Sequence, residues 1–304
     1  MDNSAFRFVS HRPDEAAPVA QPPKSIGFWR AAGRKLLKDR LAMVWLVILL
    51  LLVLAALIGP LVSGASPYTI HVNLRNAAPS AQHWFGTDHL GRDLFVRTCL
   101  GVRVSLAVGL VATFLAIGFG TVYGMVMSFF GGWVDELLMR IIEIFNSLPG
   151  LLVTMIIMIV LGNGVGTMLF ALAITSWSGA ARQARGLVLQ LRQADYVTAA
   201  VMLDTPLYKI MARHLVPNMM SILILDIGQS IPGNIFAEAG LSFLGLGIQA
   251  PNTSLGLLIS DGQNQMLQSP SQLYIPVAIL VLIVLAFNIL GDGLRDALDP
   301  KFRG

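Results

Sequence analysis

The chain has 304 residues, 55% of them apolar and 12% charged, with a formal charge of +4 and a mean hydropathy of +0.69. Soluble globular domains carry roughly 25% charged residues, so the composition excludes that class and marks an integral membrane protein. The positive charge is not a nucleic-acid signature, because eight of the 21 Lys and Arg residues lie together before the first apolar run.

Residues 1–27 carry Pro13, Pro18, Pro22 and Pro23 among polar residues and read as a disordered cytoplasmic N-terminus. Over 28–40, Phe28, Trp29, Leu36 and Leu37 alternate with five basic residues. This pattern suits a basic helix lying on an anionic lipid leaflet, and it suits equally well a polar flank to the first span. From 41 to 304 the chain reads as one transmembrane domain. A hydrocarbon core of about 30 Å needs about 20 apolar residues per helix, and six runs qualify: 41–62, 101–130, 134–161, 167–190, 217–240 and 273–293. They are continuous rather than alternating, which points to an all-α membrane protein and away from a barrel. No small-residue cleavage pattern ends the first run convincingly, so it reads as a retained anchor.

The distribution of Lys and Arg sets the orientation. The basic N-terminus stays in the cytoplasm, and six crossings return the C-terminus, with Arg295, Lys301 and Arg303, to the same side. The connection 191–216 is cytoplasmic, while 162–166 and 241–272 carry no Lys or Arg and read as external, as does the long loop 63–100. In that loop His83 and His89 invite a metal, but six residues apart and without a third ligand in fixed spacing they read as packed or solvated side chains. Cys99, the single cysteine, reads as a small packed residue. In the second span Ala116, Gly120 and Gly124 form a small-residue face suited to close helix packing.

The third span carries Glu143, Asn146, Ser147 and Pro149, which predicts a bend facing the bundle interior. The fifth holds Asp226, Gln229, Ser230, Pro232 and Asn234. A mid-membrane carboxylate must face protein or water, so Asp226 either bonds a neighbouring helix or lines a pathway.

Between the fourth and fifth spans, Tyr196 to Leu203 is predicted to form a short helix. Asp204 or Thr205 would cap a second helix opening at Pro206, and Pro217 would end it. The pair makes a knob with an apolar crest of Ala199, Ala200 and Leu203, suited to a groove on a partner. A hairpin resting on lipid headgroups is the alternative.

Within this loop TAAVMLD followed by RHLVPN resembles the EAA loop of ABC importer permeases, with Ala199, Ala200 and Pro217 at matching positions. Thr198 stands where that family has Glu, and Asp204 where it has Gly. Asp tolerates a left-handed backbone better than most residues do. HWFGTDHLGRDLFVR at 83–97, LSFLGLG at 241–247 and NILGDGLRDALDPK at 288–301 look like the second permease subunit of dipeptide and oligopeptide importers.

The resemblance implies a six-helix, type I importer permease in a cell membrane. Its partners would be a homologous permease, two ABC ATPases that hold ATP and magnesium, and an extracytoplasmic solute-binding protein. The chain has no GxxxxGK[ST] loop, so no cofactor is expected on it. Tyr196, Thr198, Ala199, Ala200, Leu203, Asp204, Thr205 and Pro206 would then contact an ATPase. A peptide's charged termini need polar partners in a low-dielectric bundle, which nominates Asn146, Asp226, Gln229 and Ser230 for the pathway. Nickel and glutathione importers share these motifs and stay open as alternatives. So does an ion-gradient transporter or channel working through Asp226 and Glu238, although no inverted halves are visible. No catalytic or metal-ligating set stands out, and a membrane enzyme ranks lowest.

Overall fold

Eleven α-helices make up nearly all of the computed structural model, which describes residues 28–298. The expected disordered segment 1–27 and the tail residues Asp299, Lys301 and Arg303 lie outside the described residues. The helices are α1 (Phe28–Lys38), α2 (Arg40–Ser63), α3 (Leu94–Phe130), α4 (Gly132–Ser147), α5 (Gly150–Leu161), α6 (Val165–Leu191), α7 (Asp195–Met202), α8 (Leu207–Ile210), α9 (Val216–Phe243), α10 (Leu255–Asn264) and α11 (Ser271–Leu298). Among the described residues the nearest thing to a strand is one isolated bridge between Thr87 and Asp93.

Among the described residues four helical runs are long and apolar enough to cross a bilayer: Arg40–Ser63, Leu94–Phe130, Tyr208–Phe243 and Ser271–Leu298. The predicted third span is not one straight rod. It is two helices, α4 and α5, bent by 84° at Leu148 and Pro149, and it adds a fifth crossing if the pair counts as one. Pro149 supplies the break because it cannot donate an N–H and forces Leu148 into extended backbone. The predicted fourth span, α6, has 27 residues, about 40 Å at 1.5 Å per residue. Its Arg182 and Arg185 make it less apolar than the rest. Arg185 reaches Asp135 of α4 through two bonds of 2.6 and 2.5 Å, so that charge is paired inside the bundle.

In hydrocarbon there is little hydrophobic drive between helices, so close backbone approach must hold the bundle. The longest such contact is between α3 and α6. A Cβ on Gly120 would land on the Trp177 carbonyl and 2.9 Å from the Ala180 Cβ, and one on Gly124 would land on the Ala181 carbonyl and 2.9 Å from the Ala184 Cβ. The small-residue face expected on the second span is therefore met by a matching alanine stripe on the fourth. At the cytoplasmic end α1 packs against α11, where Gly293 leaves room for Ala42 and Leu36. Ala32 is buried there, so this basic helix rests on protein as well as on whatever covers its outer face. The side chains of Phe28 and Trp29 are outside the described residues.

The loop 63–100, expected to be external, is organised by Asp88. One carboxylate oxygen accepts the N–H groups of Leu90 (2.8 Å) and Arg92 (2.9 Å), and the other accepts the Arg92 Nε at 2.7 Å and a short bond from Arg97. Arg97 is 2% exposed and also lies 3.5 Å from Asp261 of α10. Gly91 allows this turn at φ +78°, and a Cβ there would strike the His71 carbonyl. Asp93 caps α3 through the Val96 N–H (2.9 Å) and holds His83 at 2.7 Å, so His83 is a packed partner of a cap. Gln272 of α11 donates to Asn76 (2.8 Å) and to the Thr87 carbonyl (3.0 Å), which ties the loop to the last helix. Burial pushes the Asp88 carboxyl up. The Arg92 N–H and the two guanidinium groups outweigh that and hold it below the ordinary carboxylate value.

Two expectations follow. Gly124→Leu should cost about 1–3 kcal/mol by forcing α3 off α6, seen as a lowered unfolding midpoint of the detergent-purified chain; an unchanged midpoint would mean the contact is not tight. Asp88→Asn strands the buried Arg97 and should cost about 3–5 kcal/mol at neutral pH. Because the folded pKa is below the unfolded value of about 3.9, the stabilisation is complete above that value and lost as pH falls through the folded one. The gap between wild type and Asn variant in a denaturant titration should therefore narrow in acid below about pH 4.

Candidate functional site

The loop 191–216, expected on the cytoplasmic side, is built on the end of α6. Arg192 donates to the Ser128 carbonyl at 2.6 Å and lies 5.8 Å from the centre of the Phe129 ring, which fixes the exit from α6 against the end of α3. Asp195 sits in the first turn of α7, where a negative charge meets the positive helix end. Val197 and Ala200, three residues apart and so on one face, are buried against Ala184, Val188, Ile210, Leu215 and Met219. The helix then stops. Asp204 takes a left-handed backbone at φ +50°, and the Thr205 N–H closes on the Ala200 carbonyl at 3.1 Å. The backbone that the family's Gly would supply is thus reached by Asp.

The outer surface of this knob is apolar. Met202 and Leu203 are each 79% exposed, and Val201 and Tyr208 are exposed beside them. Tyr196, Thr198, Ala199, Asp204 and Pro206 are also exposed, while Thr205 is half-buried. The predicted crest needs correcting at Ala200, which faces inward. At 100° per residue Ala200 follows Val197 into the core, and Val201 and Met202 take its place outside.

Two helix boundaries also differ from expectation. The Pro206 carbonyl accepts the Ile210 N–H (3.2 Å), so Pro206 stands just before α8 rather than inside it. Pro217 does not end a helix. A π turn, Met211–Leu215, precedes it, with the Val216 N–H bonding the Met211 carbonyl, and the proline falls in the first turn of α9. The wider turn frees the carbonyls that a proline cannot bond, so helix runs on through Pro217.

Deeper in the bundle, α3, α6 and α9 enclose a cavity of about 320 Å³. Asp226 and Ser230 are on its wall, joined by Asn234, Thr113, Ser176 and Gln183. Asp226, Ser230 and Asn234 follow a four-residue spacing along one face of α9. The other two pathway candidates lie elsewhere. Gln229 is exposed on a different face, and Asn146 accepts a 2.8 Å bond from Ser178 beyond the cavity. Thr113, Ser176 and Gln183 are not marked out by the sequence, because only the packing of α3 and α6 brings them together. Glu238 is fully buried and takes hydrogen bonds from Ser105 (2.6 Å) and Ser242 (2.8 Å). It joins α3 to α9 and is away from the cavity wall. Among the described residues no three His, Cys, Asp or Glu side chains gather as a metal site.

The family described as "Binding-protein-dependent transport system inner membrane component" matches residues 106–304, and an "N-terminal TM domain of oligopeptide transport permease C" matches 27–79. The chain is 44% identical to the dipeptide transport system permease protein DppC of Bacillus subtilis, over 95% of this chain and 90% of that protein. It is 40% identical to the oligopeptide permease OppC of the same organism, over 92% of each chain, and 36% identical to the glutathione permease GsiD of Shigella dysenteriae, over 95% and 96%. An inward-facing structure of the MetNI methionine ABC transporter aligns with TM-score 0.54 at 18% identity, over 67% of this chain and 96% of that one, which is a likeness of fold. With a family match over most of its length and relatives above one-third identity along nearly all of it, the chain belongs to the inner-membrane permease components of binding-protein-dependent ABC importers, in the plasma membrane.

Proposed function

We propose that this permease imports dipeptides or oligopeptides, paired with a homologous permease, driven by two cytoplasmic ABC ATPases that bind ATP and magnesium, and fed by an extracytoplasmic binding protein. The observation that carries the coupling role is the knob itself: an apolar tip of Val201, Met202, Leu203 and Tyr208 held on a buried base of Val197, Ala200 and Ile210. An exposed tip on a rigid base transmits displacement instead of absorbing it. Closure of the ATPases would move the tip, and the tip would carry α6 and α9 with it. Coupling requires that the contact differ in energy between the two ATPase states.

The substrate class is supported by the relatives named for dipeptides and oligopeptides. Glutathione, carried by another relative, is itself a small peptide and falls within the same class. The family assignment displaces the ion-gradient alternative, in which Asp226 and Glu238 would carry the coupling charge.

Leu203→Glu places a charge on the tip without touching the buried base. Tripeptide uptake by cells should fall about 30-fold or more, the scale of a lost hot spot of about 2 kcal/mol, while the chain still reaches the membrane and its ATPases no longer co-purify. Normal uptake would remove the tip from the ATPase contact. Ala200→Glu is the control with the opposite signature, since it should lower the folded amount of the chain itself.

A further inference from the structure

Of the groups lining the cavity between α3, α6 and α9, Asp226 alone is charged. Its Oδ2 is buried and has no hydrogen-bond partner. Asp226 stands midway along the 36-residue run Tyr208–Phe243, far from both ends of the bundle. A carboxylate there is costly unless something answers it. Three of the neighbouring polar groups are engaged with other partners. Ser176 donates to the Leu172 carbonyl (2.5 Å) and Thr113 to the Gly109 carbonyl (2.7 Å), while Asn234 donates its amide to Thr113 (2.8 Å). Ser230 and Gln183 complete the polar part of the wall, which has one carboxylate and no Lys or Arg.

Such a wall fits a group that carries positive charge and donates to the carboxylate. We infer that this cavity is the subsite where the N-terminal ammonium of a peptide is held during passage, with Asp226 as its counter-ion and Ser176 as a second acceptor. An ammonium has three N–H donors and no acceptor, which suits the unpartnered Oδ2 of Asp226 and the lone pairs of Ser176. Every peptide with a free N-terminus presents this group whatever its side chains, so recognition here is blind to sequence. The inference rests on the peptide-importer reading above and adds to it which end of the substrate this chain recognises.

Two measurements test it. In proteoliposomes holding the complete importer with saturating binding protein, Asp226→Asn should slow ATP-driven uptake of tri-alanine about tenfold, the loss expected for one charge-assisted hydrogen bond. Asp226→Glu should restore uptake above the Asn level. In a Cys99→Ser background, Ser230→Cys is then labelled with aminoethyl and sulfonatoethyl methanethiosulfonate. The ratio of cation to anion labelling rates should drop about tenfold when Asp226→Asn is added, which reads the local charge without any transport. Unchanged uptake by Asp226→Asn overturns the ammonium subsite and leaves the peptide-importer reading intact. An unchanged labelling ratio overturns it as well, since the carboxylate would then exert no field in the cavity. Absence of tri-alanine uptake by the wild-type importer, with the charge ratio as expected, would instead strike the peptide reading and leave a cation-selective cavity standing.

Discussion

The close approach of α3 and α6 at Gly120 and Gly124 is the constraint on which the other features depend. Two helices surrounded by lipid gain nothing by hiding apolar side chains from hydrocarbon, so their association must come from dispersion contacts and from polar groups that find partners. Removing the Cβ atoms brings backbone against backbone over Trp177 to Ala184. That contact makes α3 and α6 one body. Its cytoplasmic end carries the knob through Arg192 and Val188, and its inner face supplies two of the three walls of the Asp226 cavity. The third wall, α9, is held further off along this stretch, where small and polar residues face one another and leave the space unfilled.

Polar groups in the bundle divide by how completely they are satisfied. Glu238 is buried and met by two hydroxyls, and the Leu255 N–H bonds one of them at 3.3 Å, so a single acid fastens α3, α9 and the short external helix α10. Asp88 does the same work outside the bundle, with two arginines and two backbone N–H groups around it. In both cases the charge is a fastening and the site is closed. Asp226 differs in having one oxygen with no partner and an empty volume in front of it. Buried groups left unsatisfied are expensive in free energy, and they persist where something else meets them part of the time.

Most of the architecture could be read from the sequence because its causes are local. Continuous apolar runs set the helices, Pro149 set the break between α4 and α5, and Gly120 and Gly124 announced a close contact without naming the partner. What escaped depends on phase and on other helices. The short helix after Ala194 is legible in the sequence, yet the side that Ala200 takes is not, because a short helix of Val, Ala, Met and Leu has apolar residues on every side. Only the base it sits on decides which side is buried. A proline breaks a regular α-helix and so predicts a stop at Pro217, whereas a π turn ahead of it removes the conflict. Of the four residues nominated for the pathway, Asp226 and Ser230 share a face at four-residue spacing and meet the cavity. Gln229 is three from Asp226 but next to Ser230, and the rotation carries it away.

The π turn Met211–Leu215 lies where displacement of the knob would pass into α9. On one side of it Ile210 packs with Val197 and Ala200, and on the other Leu215 and Met219 continue the same buried cluster toward Leu223. Asp226 is less than one turn beyond Leu223 on the same helix. A regular α-helix is stiff along its axis, and a π turn is a place where its hydrogen bonding already departs from the regular register. Displacement entering at Leu203 would therefore meet one irregular turn before reaching the cavity wall. A shift of register there would turn Asp226 about the axis of α9, changing the direction of the carboxylate relative to Ser176 and Thr113 with little translation of the helix. In this arrangement the knob and the cavity are linked by one continuous buried cluster, and access to the cavity and the orientation of its single charge would change together.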